Sequence, residues 1–234
     1  MDLKEEDILG AGIGSHWYYR SKAAALRRVV GSLAAKRLLD VGAGSGFFSR
    51  HLLERTPAES ALCVDIGYPV DRDDSVAGKP VRYRRDTGPT DCDLVLMMDV
   101  LEHVDDDRRL VRHYAGKVPT GAHFLVTVPA FDFLWSGHDV FLEHKRRYRL
   151  PAIEAVLQEA GLEIVRGSYY FGLVFPLAAA VRLADRNTTQ PRSSLKKQGA
   201  LTNALLAAIC AAELPLFPLN RLAGLSCFVL ARKP

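Results

Sequence analysis

Short apolar runs alternate along this chain with segments in which apolar residues recur three and four apart. The runs lie at 37–41, 60–65, 81–84, 93–98, 123–129, 162–168 and 226–232. Most are nearly continuous rather than alternating, the pattern of strands buried on both faces. Helical spacing occupies 16–30, 47–55, 105–116 and 151–160. The last of these places Pro151 at its first position and Gly161 just past its end, a start and stop signal for a helix. Strands alternating with helices predict an α/β fold, a mostly parallel sheet covered on both sides. Two connections, 66–80 and 85–92, lack helical spacing. The chain has no internal repeat, and 187–198, polar with Pro191 and two serines, is the stretch expected to be a mobile loop.

Composition changes this picture little. The 234 residues suffice for one well-buried domain spanning 1–234, with 1–34 as an N-terminal cap. A net charge of +4 is too mild for the broad basic face of a nucleic-acid enzyme, so no nucleic-acid partner is expected. Cys63, Cys92, Cys210 and Cys227 lie far apart without metal or redox spacing, as buried free thiols in a reducing compartment would. The start, MDLKEED, is acidic and has no apolar core, so a cytoplasmic location is expected rather than secretion.

The chemistry starts at LLDVGAGSGFFSR, 38–50, where Gly42, Gly44 and Gly46 follow an apolar run. A glycine turn between strand and helix suits a nucleotide-bearing ligand. The dinucleotide fingerprint G-x-G-x-x-G is not met, because Phe47 stands where its last glycine would be. Asp65 closes the next apolar run and is an acceptor suited to paired ribose hydroxyls. Together with DLVLMMDVLEHVDDD at 93–107, these segments resemble class I S-adenosylmethionine-dependent methyltransferases over about 35–168. HWYYR at 16–20 and PAFDFLWSGHDVFLEHKRRYRL at 129–150 are similar to a bacterial type 11/12-like subgroup associated with lipid or glycan pathways.

The resemblance implies a Rossmann-like seven-stranded sheet with an antiparallel last strand, and S-adenosylmethionine as cofactor, leaving as S-adenosylhomocysteine. It implies cofactor contacts from Asp40, Gly42, Ala43, Gly44, Gly46, Asp65, Ile66, Asp86, Asp99, Val100 and His103. The first helix is expected to add Tyr19 and Arg20 at the methionine end. Methyl transfer needs alignment above all, and a base only for a protonated acceptor. The candidates are His138, His144 and Tyr148, with His138 first because a loop histidine titrates near neutrality. Trp135, Asp139, Arg146 and Arg147 are candidate acceptor contacts, the arginines as a grip for phosphate or another anion. His138, Asp139 and His144 lack regular ligand spacing, and no metal is expected.

Between the last two strands lies an apolar insertion, 169–225. Its runs at 167–181 and 198–212 are shorter than the roughly 18–20 residues of a spanning helix. It forms a lid or dimer surface, or it lies in a membrane interface with Arg182, Arg186, Arg192, Lys196 and Lys197 near anionic headgroups. The second outcome admits a lipid-linked acceptor and a place at the inner face of the membrane. The leading expectation is an enzyme methylating a small or lipid- or glycan-linked acceptor. The alternatives are a non-catalytic partner subunit that keeps the cofactor fold and, less favoured because of Phe47, a nicotinamide-dependent oxidoreductase.

Overall fold

A computed structural model describes residues 10–184 and 199–234. The expected mobile loop, with Arg186, Arg192, Lys196 and Lys197, lies outside the described residues. The elements are, in chain order, α1 (Trp17–Val30), β1 (Arg37–Val41), α2 (Phe47–Arg55), β2 (Ser60–Val64), β3 (Arg72–Val76), β4 (Lys79–Arg84) and β5 (Leu94–Met98). There follow α3 (Asp107–Ala115), β6 (His123–Pro129), α4 (Gly137–Phe141), α5 (Leu150–Glu159), β7 (Glu163–Tyr170), α6 (Phe175–Ala184), α7 (Ala200–Glu213) and β8 (Ser226–Arg232).

The strands form one sheet in the order β3-β4-β2-β1-β5-β6-β8-β7. The five central strands β4, β2, β1, β5 and β6 are parallel, and β8 runs antiparallel to both β6 and β7. Alternation along each strand divides the core. Leu38, Leu94, Leu96 and Leu125 join one apolar cluster with α1 and α2, while Leu39, Val95, Met97 and Val126 join the other with α3 and α5. That is why the central runs read as continuously apolar.

The sheet has eight strands rather than the expected seven. The connection 66–80 turns at Ala77 (φ 51°) and Gly78 (φ 75°) and pairs β3 antiparallel with β4. The new edge is charged: Arg72, Asp73 and Asp74 are exposed, which discourages pairing with another sheet. Asp74 accepts from Arg50 of α2 at 2.6 Å, and the Arg72 guanidinium sits 3.6 Å from the centre of the Tyr83 ring. Polar alternation at this edge hid the strand from hydropathy. The stretch 85–92 returns to β5 without a helix, tied by the Thr90 N–H to the Lys117 carbonyl at 2.7 Å.

After β7 the chain turns at Phe171 (φ 65°), whose ring stacks on Tyr18 of α1 at 5.2 Å. The helix α6 then packs on the stretch after β6, where Phe175 meets Phe131 and Arg182 donates to the Leu134 carbonyl at 3.0 Å. On the other side α7 packs on α1. Asn203 accepts from the Trp17 N–H at 2.8 Å, and the Cys210 carbonyl accepts from the Tyr170 hydroxyl at 3.1 Å. Glu213 takes the N–H groups of Gly172 and Leu173. Among the described residues no helix is long and apolar enough to cross a membrane.

Candidate active site

The loop between β1 and α2 owes its shape to its glycines. Gly42, Gly44 and Gly46 have φ of 65°, 54° and 76°, the left-handed region that favours glycine. A Cβ on Gly42 would stand 2.7 Å from a methyl of Val100, and one on Gly46 would stand 2.9 Å from the Tyr83 hydroxyl. The loop is held from the next strand end. Asp65 accepts from Gly44 N–H at 3.0 Å and from Gly67 N–H at 2.8 Å, and the Tyr68 hydroxyl donates to the Gly44 carbonyl. Gly42 and Ala43 donate to the Val64 carbonyl at 2.8 and 3.3 Å. Ile66, next to Asp65, is 85 % exposed. Gly42, Gly44, Asp65 and Val100 thus converge at the carboxyl edge of the sheet, where open α/β sheets bind ligands.

Three expected contacts are engaged elsewhere, two of them in the interior. Asp40 is buried and accepts from the Ser49 hydroxyl at 2.7 Å. Burial pushes its carboxyl up to about 6 despite that bond, so Asp40 braces α2 from behind the loop. Tyr19 is 1 % exposed, edge-on to Phe47 at 5.8 Å, and is a core residue. Asp86 is exposed and taken up by the Lys117 ammonium at 3.0 Å and the Thr87 N–H at 2.7 Å, so the missing helix leaves it in a surface ion pair. Arg20 stays exposed and lines a cleft with Gly14, Phe47, Arg50 and His51.

Asp99 follows β5 in the left-handed region, at φ 56°. Its carboxylate pairs with Lys22 of α1 and accepts from the Thr127 hydroxyl at 3.1 Å. Lys22 is fully buried. Burial opposes its charge, but the Asp99 carboxylate and the Tyr18 hydroxyl, 3.2 Å away, hold it protonated well above the usual lysine range. Glu102, in the short turn Leu101–His103, is also fully buried, and burial together with the nearby Asp99 charge raises its carboxyl well above the ordinary range. Neither Lys22 nor Glu102 was among the sequence candidates. Lys22 lies three positions after Tyr19 and four before Leu26, on the buried stripe of α1, and that placement was the available signal.

The cluster HKRRYR was expected to offer cations to an anion; the structure engages Lys145, Arg146 and Arg147 with carbonyls and carboxylates of the chain itself. Lys145 donates its N–H to the Glu102 carbonyl at 2.7 Å and its ammonium to Asp105. Arg146 reaches the carbonyls of Val104 and Asp105 at 3.0 and 2.9 Å. Arg147 is buried and grips Asp139 through two bonds, at 2.8 and 3.0 Å, with a third to the Ala130 carbonyl. Tyr148 shares its hydroxyl between Asp107 at 2.8 Å and the Leu101 carbonyl at 3.1 Å, and burial with the Asp107 hydrogen bond raises its pKa far above the ordinary phenol range. Arg146, Arg147 and Tyr148 are therefore fastenings, not acceptor contacts or a base. Asp139 is likewise occupied: besides Arg147 it accepts from Ser136 and faces His144 Nδ1 at 2.9 Å. Arg182, expected near headgroups, faces the Leu134 carbonyl instead. Trp135 remains partly exposed.

The histidines separate. His103 and His144 come together edge to face, 4.8 Å between ring centres. His138 sits near Arg182, and burial reinforced by that cation lowers its pKa to about 4, with Asp139 opposing. It is neutral at pH 7 and does not titrate there, which corrects the expectation of a base poised near neutrality. The unfolded chain would protonate this histidine near 6.5, so as pH falls from about 6.5 to about 4 the unfolded state takes up the proton first and stability declines. Half-buried His51, also held near 4, acts in the same direction. The variant His138→Gln is expected to flatten the slope of unfolding free energy against pH in that window, measured by denaturant titration. An unchanged slope would remove His138 as a cause.

A family model for the methyltransferase domain matches residues 15–166. No curated protein sequence matches the chain. Among solved structures, a chain from the complex containing the Haloferax volcanii Trm112 methyltransferase activator superposes with a TM-score of 0.55 at 13% identity, covering 92% of this chain and 94% of its own. An S-adenosylmethionine-dependent methyltransferase of Mesorhizobium loti gives 0.54 at 17%, covering 91% and 98%. The N-methyltransferase NodS of Bradyrhizobium japonicum, in complex with S-adenosyl-L-homocysteine, gives 0.52 at 13%, covering 93% and 88%. At these identities the likenesses carry the fold, and the domain match across most of the chain carries the family: this chain belongs to the methyltransferase-domain family and is an S-adenosylmethionine-dependent methyltransferase.

Proposed function

We propose that the chain methylates a lipid-linked acceptor at its oxygen, nitrogen or carbon. The cofactor lies across the carboxyl ends of β1, β2 and β5. The glycine loop admits its methionine half, the Asp65 carboxylate takes the ribose hydroxyls, and Ile66 covers the adenine. Asp99 and Val100 line the floor, and Arg20 meets the cofactor carboxylate. The loop over 129–150, including Trp135, receives the acceptor. The reacting oxygen, nitrogen or carbon forms its bond to the methyl carbon while the carbon–sulfur bond breaks, its electron pair remaining on sulfur. S-adenosylhomocysteine leaves.

The observation that favours a lipid-linked acceptor is the outer surface of the insertion. Leu177 and Val181 of α6, Leu201 and Leu205 of α7, and Leu219 and Leu222 beyond it are each more than half exposed, while the opposite faces of both helices hold the loop after β6 and α1. Apolar exposure on this scale marks a protein- or membrane-contact surface. The test combines transfer and flotation. With methyl-labelled S-adenosylmethionine and a membrane extract, label is expected in the organic-extractable fraction. The protein is expected to float with phospholipid vesicles, and Leu177→Glu with Leu205→Glu is expected to keep it at the bottom. Label confined to aqueous products, with no flotation and a dimer by sedimentation, would replace the lipid reading by a small soluble acceptor and a second copy as the cover.

A further inference from the structure

Glu102 poses a problem that its neighbours answer. Its side chain is wholly buried, and among the described residues neither carboxylate oxygen has a hydrogen-bond partner in another residue. Buried carboxylates are ordinarily paired, hydrogen-bonded or bound to a metal. Beside it stand His103, on the same turn, and His144, and one donor atom from each of the three lies within 4.8 Å of the other two. His144 is brought there by backbone fastening, since the next residue donates its N–H to the Glu102 carbonyl at 2.7 Å. Its ring is also set: Nδ1 faces the Asp139 carboxylate at 2.9 Å, which fixes the orientation in which Nε2 is presented. A carboxylate behind an imidazole is the arrangement usually found behind metal-ligating histidines.

We propose that Glu102, His103 and His144 bind one divalent transition-metal ion. Two imidazole nitrogens and one carboxylate oxygen suit zinc, manganese, iron, cobalt or nickel better than magnesium or calcium. Ligand bonds of about 2.0–2.2 Å put donors roughly 3–4 Å apart around an ion, so the most separated pair of donors needs to close by about one to two ångströms. Three protein ligands leave coordination positions open. What the ion does there rests on the methyltransferase reading. An ion held there would lower the pKa of an acceptor hydroxyl so that its proton passes to water; the acceptor oxygen then forms its bond to the methyl carbon as the carbon–sulfur bond breaks, its electron pair staying on sulfur.

The test uses the whole protein, stripped with a chelator and titrated with cobalt(II) chloride alone. Binding of one equivalent per chain is expected, with visible ligand-field bands that zinc abolishes. His144→Ala and Glu102→Gln are each expected to weaken cobalt binding at least about 100-fold, while S-adenosylmethionine affinity by calorimetry stays within about threefold. Circular dichroism shows whether each variant is folded, and should His144→Ala fail to fold, His144→Gln replaces it. No saturable uptake by the parent protein, or uptake unchanged in folded variants, would overturn the site. Cobalt uptake without methyl transfer to any hydroxylated acceptor would leave the site standing and end the methyltransferase role given to it. Cofactor binding and turnover without metal uptake would end the site alone.

Discussion

Gly44→Leu is expected to abolish S-adenosylmethionine binding, a loss of at least about 100-fold by calorimetry, in a chain that still folds. Gly44 lies in the left-handed region at φ 54°, which costs a side-chain-bearing residue roughly 1–2 kcal/mol. It is held between two groups, with its N–H on Asp65 and its carbonyl under the Tyr68 hydroxyl. A leucine there must either rotate the peptide, releasing both bonds, or project into the space proposed for the methionine half of the cofactor. The fold survives because the loop lies at the sheet edge and the two apolar clusters lie beneath it. Parent-like affinity in a folded Gly44→Leu variant would contradict the placement of the cofactor.

Lys22→Met is the second large effect. Removing one partner of a buried ion pair leaves the other charge uncompensated, typically at a cost of about 3–5 kcal/mol. The lower end applies here, about 3 kcal/mol, because the Asp99 side chain is 26% exposed and water recovers part of the loss. Asp99 then also lies uncompensated beside the Glu102 carboxyl, whose pKa its charge already raises. The double variant, Lys22→Met with Asp99→Asn, is expected to regain most of the stability, since two neutral groups replace two charges. Denaturant unfolding of both variants measures this. A double variant as unstable as the single one would mean that packing of the lysine stem, not the charge, carries the effect.

These two residues show where sequence reading succeeds and where it stops. Leucines and valines on β1, β5 and β6 declare themselves because burial on both faces leaves no polar position in the run. The glycine loop is legible for a similar reason: left-handed backbone at three alternate residues leaves few substitutes for glycine. Lys22 was passed over because a lysine on an apolar stripe is discounted as a solvated neighbour, and only Asp99, 77 residues away, gives it a purpose. The strand β3 was missed because RDDSV carries one apolar residue. HKRRYR failed differently. Its cations were correctly seen as a cluster, but the sequence cannot say whether arginine faces a ligand or the carbonyls of its own chain. Asp139 and Tyr148 were misassigned on the same ground. His138 was expected on a loop but stands in the short helix α4, and burial near Arg182 removes it from the neutral titration range.

The fastening of 145–148 onto 101–107 has a consequence for exchange between relatives. A segment joined to its neighbour only at its ends can be traded as a module, carrying a new specificity with it. Here the stretch after β6 is stitched to the turn after β5 through Lys145, Arg146 and Tyr148, and to its own start through Arg147 and Asp139. Grafting 129–150 alone from another methyltransferase would leave the donated residues facing carbonyls and carboxylates at the wrong spacing. Transplanting it together with 99–107 would keep both halves in register. Recombination breakpoints in this fold are therefore expected to be tolerated before Asp99 or after Leu150, and rejected between them.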